Sequence, residues 1–359
     1  MTESARAGVF ASLVFAFSSG ACAALQATVN SRAAAVLGGA GFASVLSFSV
    51  GCALLTACAP FSRGGLWWRA QPSLSQLLPG ALGAAWVTLV NALSPRIGYA
   101  LFFVAAVVAQ LFTAAALDAL GWGGGGGGSG GAPKPATPAP AGEGDGVAET
   151  SAAVGAARPA EAPPPAPRQR RPAAGLLPRA LSLCAAAAGV GLAVADGASW
   201  GAGLSRAAAA GCVLGAAAAG VLIVVQSMLN RSAAAALPSR FAATWWSFHL
   251  GVCACVAIAA CEAGAAGAPA PPPALFAAAP WWAYLGGALG VVIVFSSIAV
   301  TQALGSQVYF TAFVCGQLAT SCAIDGGGWL GAPLRPVGSL RAAGVALVAL
   351  ACVGAQLAR

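Results

Sequence analysis

Charge is what this 359-residue chain has least of. Asp, Glu, Lys and Arg together make up 7% of it, against roughly 25% in an ordinary soluble domain. The shortage is sharpest for acids, with nine Asp and Glu, and for histidine, with His249 alone. So few charges cannot cover the surface of a soluble domain. A cytosolic enzyme, a nucleic-acid module and a secreted soluble domain are excluded on that ground. No Walker-type loop and no His-Glu-x-x-His pair is present, so neither an ATP-driven pump nor a zincin is implied. The eleven cysteines do not form an extracellular disulfide framework: nearly all of them, Cys22, Cys52, Cys212, Cys315 and Cys352 among them, sit inside apolar runs rather than in loops. Cys253 and Cys255 are two apart, a spacing unlike a zinc knuckle, and no His/Cys cluster accompanies them.

What is abundant is apolar sequence. Hydrophobic residues make up 59% of the chain and the mean hydropathy is +0.82. A span needs about 20 apolar residues. Ten segments qualify: about 9–28, 38–59, 76–94, 98–120, 177–198, 208–228, 241–262, 281–301, 307–325 and 340–357. Many are rich in Ala and Gly, which would make weak helices in water. In lipid the backbone must satisfy itself, so helix is the stable solution, and small residues let helices approach closely. The fold expected is all-α and polytopic, with ten transmembrane helices. The run after Met1–Gly8 exceeds the length of a cleaved leader's core, so the first span is expected to be retained.

The segment at about 122–175 departs from this pattern. It opens on Gly123–Gly128, continues through Pro- and Ala-rich sequence and ends at Arg168-Gln169-Arg170-Arg171-Pro172. Its composition cannot bury a core, so it is expected to be a disordered cytoplasmic insertion.

An internal repeat runs across the chain. Gln26-x-x-x-Asn30 returns as Gln226-x-x-x-Asn230, and Ser47-Phe48-x-x-Gly51 as Ser247-Phe248-x-x-Gly251, both at an offset of 200. The offset then becomes 207. Gly80-Ala81-Leu82-Gly83 returns as Gly287-Ala288-Leu289-Gly290, Gly98 as Gly305, Gln110-Leu111 as Gln317-Leu318, Asp118 as Asp325 and Trp122 as Trp329. Arg171-Pro172 and Arg335-Pro336 each precede the last span of a half. The halves are therefore 1–202 and 203–359, and the insertion lies within the first half rather than between the two. Five spans per half make the halves inverted, the design of alternating-access transporters. With both termini cytoplasmic, twelve of the seventeen Lys and Arg residues fall on the inside, as the positive-inside rule favours.

Polar side chains inside spans are costly unless used or partnered. Gln26 and Asn30 share one helical face, as do Gln226 and Asn230; they are read either as lining a polar cavity or as interhelical hydrogen-bond glue, with Asn30 and Asn230 also readable as helix ends. Gln110 and Gln317 lie away from the ends of their helices and are cavity candidates, because an amide can both donate and accept. Asp118 and Asp325 are candidates for proton coupling or for interface residues facing water. His249 is a further candidate for proton relay. Glu262 is expected to be solvated near the outer end of its span. Trp67-Trp68 and Trp281-Trp282 are expected at the membrane interface.

Several of these stretches carry a resemblance. Val225-Gln226-Ser227-Met228-Leu229-Asn230, Leu237-Pro238, Trp246-Ser247-Phe248-x-x-Gly251, Pro280–Gly290, Gly316-Gln317-Leu318 and Ile324-Asp325 resemble a small bacterial inner-membrane family of the YdcZ type. This family, formerly labelled a domain of unknown function, lies within the drug/metabolite transporter superfamily. The second half resembles it closely, and the first half more loosely through Gln26, Asn30, Phe48, Gly51, Gln110 and Asp118. The resemblance implies two fused five-helix units that move a small metabolite or drug-like solute by proton coupling or exchange. Leu37-Gly38 in place of Leu-Pro, Gly121-Trp122 running into poly-Gly and the insertion are departures from it.

The expected partners are a small-molecule solute, protons, the lipid bilayer and a second copy of the chain. No nucleic acid, cofactor or metal is expected, and no enzymatic activity. The location expected is the plasma membrane, or an organelle membrane in a eukaryote. The competing reading is a non-transporting membrane scaffold or a subunit of a larger complex.

Overall fold

A computed structural model describes residues 3–62, 72–119, 176–195, 204–267, 271–304 and 306–357, all within one compact unit. The expected insertion at 122–175, Trp67-Trp68 and the side chain of Asp118 lie outside the described residues.

Regular structure in the described residues is helical throughout. Ten long helices follow in order: α1 Glu3–Leu37, α2 Ala40–Cys58, α3 Leu74–Ile97, α4 Tyr99–Ala119, α5 Leu176–Ala195, α6 Arg206–Ala236, α7 Arg240–Ala266, α8 Leu285–Leu304, α9 Ser306–Gly327 and α10 Ser339–Leu357. A short turn of helix, Pro273–Ala277, and a 3₁₀ segment, Trp281–Tyr284, lead into α8. Eight of the described helices are long and apolar enough to cross a membrane; α5 and α10 contribute the shorter apolar stretches Cys184–Ala193 and Ser339–Ala351. The protein is an all-α, multi-pass membrane protein.

Local chemistry sets the helix limits. The Ser205 hydroxyl accepts from Ala208 N at the start of α6, and Ser239 from Ala242 N at the start of α7, the usual use of serine at an N-cap. Helix α7 stops where Gly267 turns left-handed at φ +61. Between α3 and α4 the chain turns on Gly98 alone, at φ +95, a backbone that side chains resist. Helices α1 and α6 outrun the spans read from apolarity by about two turns. Asn30 and Asn230 therefore lie inside helices and do not mark their ends. Backbone hydrogen bonding continues where the apolar run stops, because helix formation does not need every turn to face lipid.

Packing joins helices that are far apart in the chain. Helix α1 lies along α8 and α9, and α6 lies along α3 and α4; α2 pairs with α7 and α5 with α10. Glycines allow backbones to meet at these crossings. A Cβ placed on Gly20 of α1 would stand 2.7 Å from the Phe313 carbonyl carbon of α9, and one on Gly220 of α6 would stand 2.9 Å from that of Ala106 of α4. These two contacts correspond under the offsets of 200 and 207. So do Gly80 against the Ser247 carbonyl and Gly287 against that of Ser47. Near the middle, Phe48 of α2 and Phe248 of α7 pack ring to ring, centroids 5.1 Å apart.

Candidate functional site

The matched crossings enclose a cavity. Its walls come from α1 (Gln26), α2 (Phe48), α3 (Gly83, Trp86, Val87), α6 (Ile223, Gln226, Ser227, Asn230), α7 (Phe248), α8 (Gly290, Ile293, Val294, Ser297) and α9 (Tyr309, Phe310, Phe313). It measures about 30 Å³, on a scale where one water needs roughly 10–15 Å³. Two or so waters fit, and a metabolite does not.

Each glutamine enters the cavity by way of a glycine from the other half. A Cβ on Gly290 would come within 2.7 Å of Gln26 Nε2, and one on Gly83 would overlap Gln226 Nε2. Glycine leaves space for the two amides in the positions they hold. Gln26 Nε2 donates to the Gly286 carbonyl at 2.9 Å and to Ser47 Oγ at 3.4 Å, which fixes the amide's orientation, since a carbonyl accepts only from the nitrogen. Its Oε1 has no partner among the described residues, nor do Asn230 Oδ1 and Trp86 Nε1. Tyr309 is held at the wall by a hydroxyl cluster: its OH lies 3.3 Å from Ser296 Oγ and 3.4 Å from Ser19 Oγ, and Ser296 donates to Ser19.

Three of the six amides singled out in the sequence, Gln26, Gln226 and Asn230, thus meet at one cavity. Asn30, one turn from Gln26, does not line the cavity; it donates to the same Ser47 Oγ, at 3.3 Å. Gln110 and Gln317 do not line this cavity. Both are buried, at 2% and 0% exposure, and neither end of either amide has a partner among the described residues.

Asp325 lies at the far end of α9. Its carboxylate accepts from Tyr99 N at 3.1 Å and from Ala100 N at 2.8 Å, capping the start of α4. Arg341 Nη1 lies 3.8 Å away, and both side chains are buried. Arg335 joins the same junction, its backbone N–H donating to the Asp325 carbonyl at 2.7 Å and its Nη2 to the Pro95 carbonyl at 2.8 Å. His249 also lies off the cavity, its ring stacked on Trp245 at 3.5 Å and its Nδ1 2.8 Å from the Trp245 carbonyl. Glu262 is not simply solvated as expected: its carboxylate accepts from Ala40 N at 3.1 Å and Gly41 N at 2.7 Å, capping α2 across the halves. An N-terminal helix turn has free N–H groups and a positive end, and a carboxylate satisfies both.

Sequence reasoning did not single out Trp86, Tyr309, Ser227 or Ser297. It read Phe48, Phe248, Gly83 and Gly290 only as repeat markers. The signal for the last four was present, since each recurs beside a glutamine-bearing span. Among the described residues no group of three or more His, Cys, Asp and Glu could hold a metal.

Comparison with curated proteins found no match, and comparison with solved structures found none either. A family model described as "Putative inner membrane exporter, YdcZ" matches residues 11–129 and 211–354, one region in each half and together well over half of the chain. The chain belongs to this family of drug/metabolite transporters.

Proposed function

We propose that the protein is a secondary transporter that carries a small metabolite or drug-like solute through the cavity between its halves. The observation that carries this reading is the placement of Gln26 and Gln226. They hold equivalent positions in the repeat, and each is received by a glycine of the other half at one shared cavity. A site built symmetrically from two halves is what rocking about a fixed centre requires. The same reading takes α1–α5 (within 1–202) and α6–α10 (within 203–359) as inverted five-helix repeats, all ten helices spanning. Both termini are cytoplasmic in it, and the membrane is the plasma membrane. The cross-half contacts that recur under the repeat offsets support this.

The family description favours export as the direction. Exchange needs no titratable group in the cavity and is the form the geometry supports best. Proton coupling through Asp325 would compete with its capping of α4, and the His249 ring is occupied by Trp245.

The test is uptake or counterflow in proteoliposomes over a panel of small solutes, comparing the parent protein with Gln26→Leu and Gln226→Leu. Accumulation that both variants lose while remaining folded supports the proposal. Equal accumulation in all three removes the cavity from the mechanism.

A further inference from the structure

We infer that the cavity selects uncharged solutes that join a flat apolar body to an amide- or hydroxyl-type group, and that their passage moves no net charge. This rests on the transport reading above and adds the substrate class to it.

The first observation is the absence of charge. Among the described residues, none of those lining the cavity is Asp, Glu, Lys, Arg or His. The acids on the lining helices α7 and α9 are committed elsewhere, and Arg231, which follows Asn230 on α6, is not among the lining residues. Asp325 is 12 residues from Phe313 along α9, about 18 Å at the helical rise, and is bonded to the start of α4. Glu262 is 14 residues from Phe248 along α7, about 21 Å, and is bonded to the start of α2. A charged solute would shed its water in this cavity and meet no counter-charge on any described lining residue, which is costly inside a membrane. A neutral solute gives up only hydrogen bonds, which amides can restore.

The second observation concerns the unpartnered atoms. Three of them belong to lining residues: the acceptors Gln26 Oε1 and Asn230 Oδ1 and the donor Trp86 Nε1. Left unpartnered, each is a standing cost. A group that both donates and accepts complements this set; a carbonyl alone or an ether alone does not. The third observation is the wall between them. Phe48, Trp86, Phe248, Tyr309, Phe310 and Phe313 line the same cavity, and aromatic faces hold flat apolar bodies well. Specificity then comes from a few polar groups set in an apolar pocket.

The experiment uses three probes that share one ring and differ in charge: neutral N-acetyl-phenylalaninamide, cationic phenylalaninamide and anionic N-acetyl-phenylalanine, at pH 6. Binding to the purified full-length protein is read by thermal-unfolding shift. Uptake is read in proteoliposomes clamped at 0 and −100 mV. The neutral probe is expected to bind at least tenfold more tightly than either charged one, with uptake independent of voltage. Asn230→Leu should weaken the neutral probe about tenfold, the loss of roughly one buried hydrogen bond. Gln226→Glu should shift preference toward the cationic probe, which a merely structural glutamine would not do. Equal or tighter binding of a charged probe, or uptake that follows voltage, overturns the inference and leaves the transport reading standing. Failure of all three probes to bind also overturns it, since the neutral one carries every group specified. Whether transport falls too is decided separately by access to the cavity from the two sides of the membrane.

Discussion

A methyl group added at Gly220 tests the packing between the halves. Its Cβ would lie 2.9 Å from the Ala106 carbonyl carbon and 3.0 Å from the Ala106 Cα, where contacts of about 3.5–4.0 Å are optimal. Both neighbours are backbone, so no side chain can swing aside. Helices α4 and α6 must part by at least about 0.5 Å, and overpacking of this kind costs about 1–3 kcal/mol. Alanine also favours helix over glycine by about 1 kcal/mol, and that gain must be separated out. Gly211 supplies the control: it lies in the same helix and has nothing within 4 Å of its Cβ position. Gly220→Ala should therefore be less stable than Gly211→Ala by about 1–3 kcal/mol, read by denaturant titration in detergent micelles. Gly20→Ala should behave like Gly220→Ala, since its Cβ would lie 2.7 Å from the Phe313 carbonyl carbon. If Gly220→Ala and Gly211→Ala unfold at the same midpoint, the close approach of α4 and α6 is wrong, and with it the enclosure of the cavity.

Three further outcomes are expected. Asp325→Ala should destabilise the fold by about 3 kcal/mol or more, because it removes the cap of α4 and the carboxylate beside the buried Arg341; Asp325→Asn, which keeps one accepting oxygen, should be intermediate. If Asp325→Asn melts like the parent protein but loses all uptake, Asp325 is a coupling carboxylate and not a cap. Glu262→Ala should cost about 1 kcal/mol through the lost bonds to Ala40 N and Gly41 N, seen as a lower unfolding midpoint with uptake retained. His249→Phe should leave uptake within about twofold, since a phenyl ring can keep the stack on Trp245; a large loss would put the imidazole in the transport path.

The helices were legible in the sequence because lipid imposes one requirement on every span, a long apolar run, and the described helices coincide with those runs to within about two turns. The repeat read from Gly, Gln and Phe markers is matched by contacts that recur at its offsets, Gly20 with Gly220 and Gly80 with Gly287. Side-chain direction was not legible. In a helix that is apolar on all sides, no amphipathic stripe shows which face turns inward. Gln26 and Gln110 look alike in sequence, yet one lines the cavity and the other does not. The capping roles of Glu262 and Asp325 were not legible for a related reason. Each bonds to a helix start more than two hundred residues away, and no local pattern announces such a partner. Trp86 and Tyr309 escaped notice because an aromatic residue in a span is usually ordinary packing.

The central claim is that the cavity opens to each side of the membrane in turn. Ser227 and Ser297 both line it and are both nearly closed off, at 7% and 5% exposure. The direct measurement is modification of Ser227→Cys and Ser297→Cys, in a cysteine-free background, by a small membrane-impermeant thiol reagent applied to one side at a time. Alternating access predicts labelling of both positions from either side, slowed by a bound solute. Labelling from one side only, or from neither, would contradict it and leave a sealed polar core in a membrane scaffold.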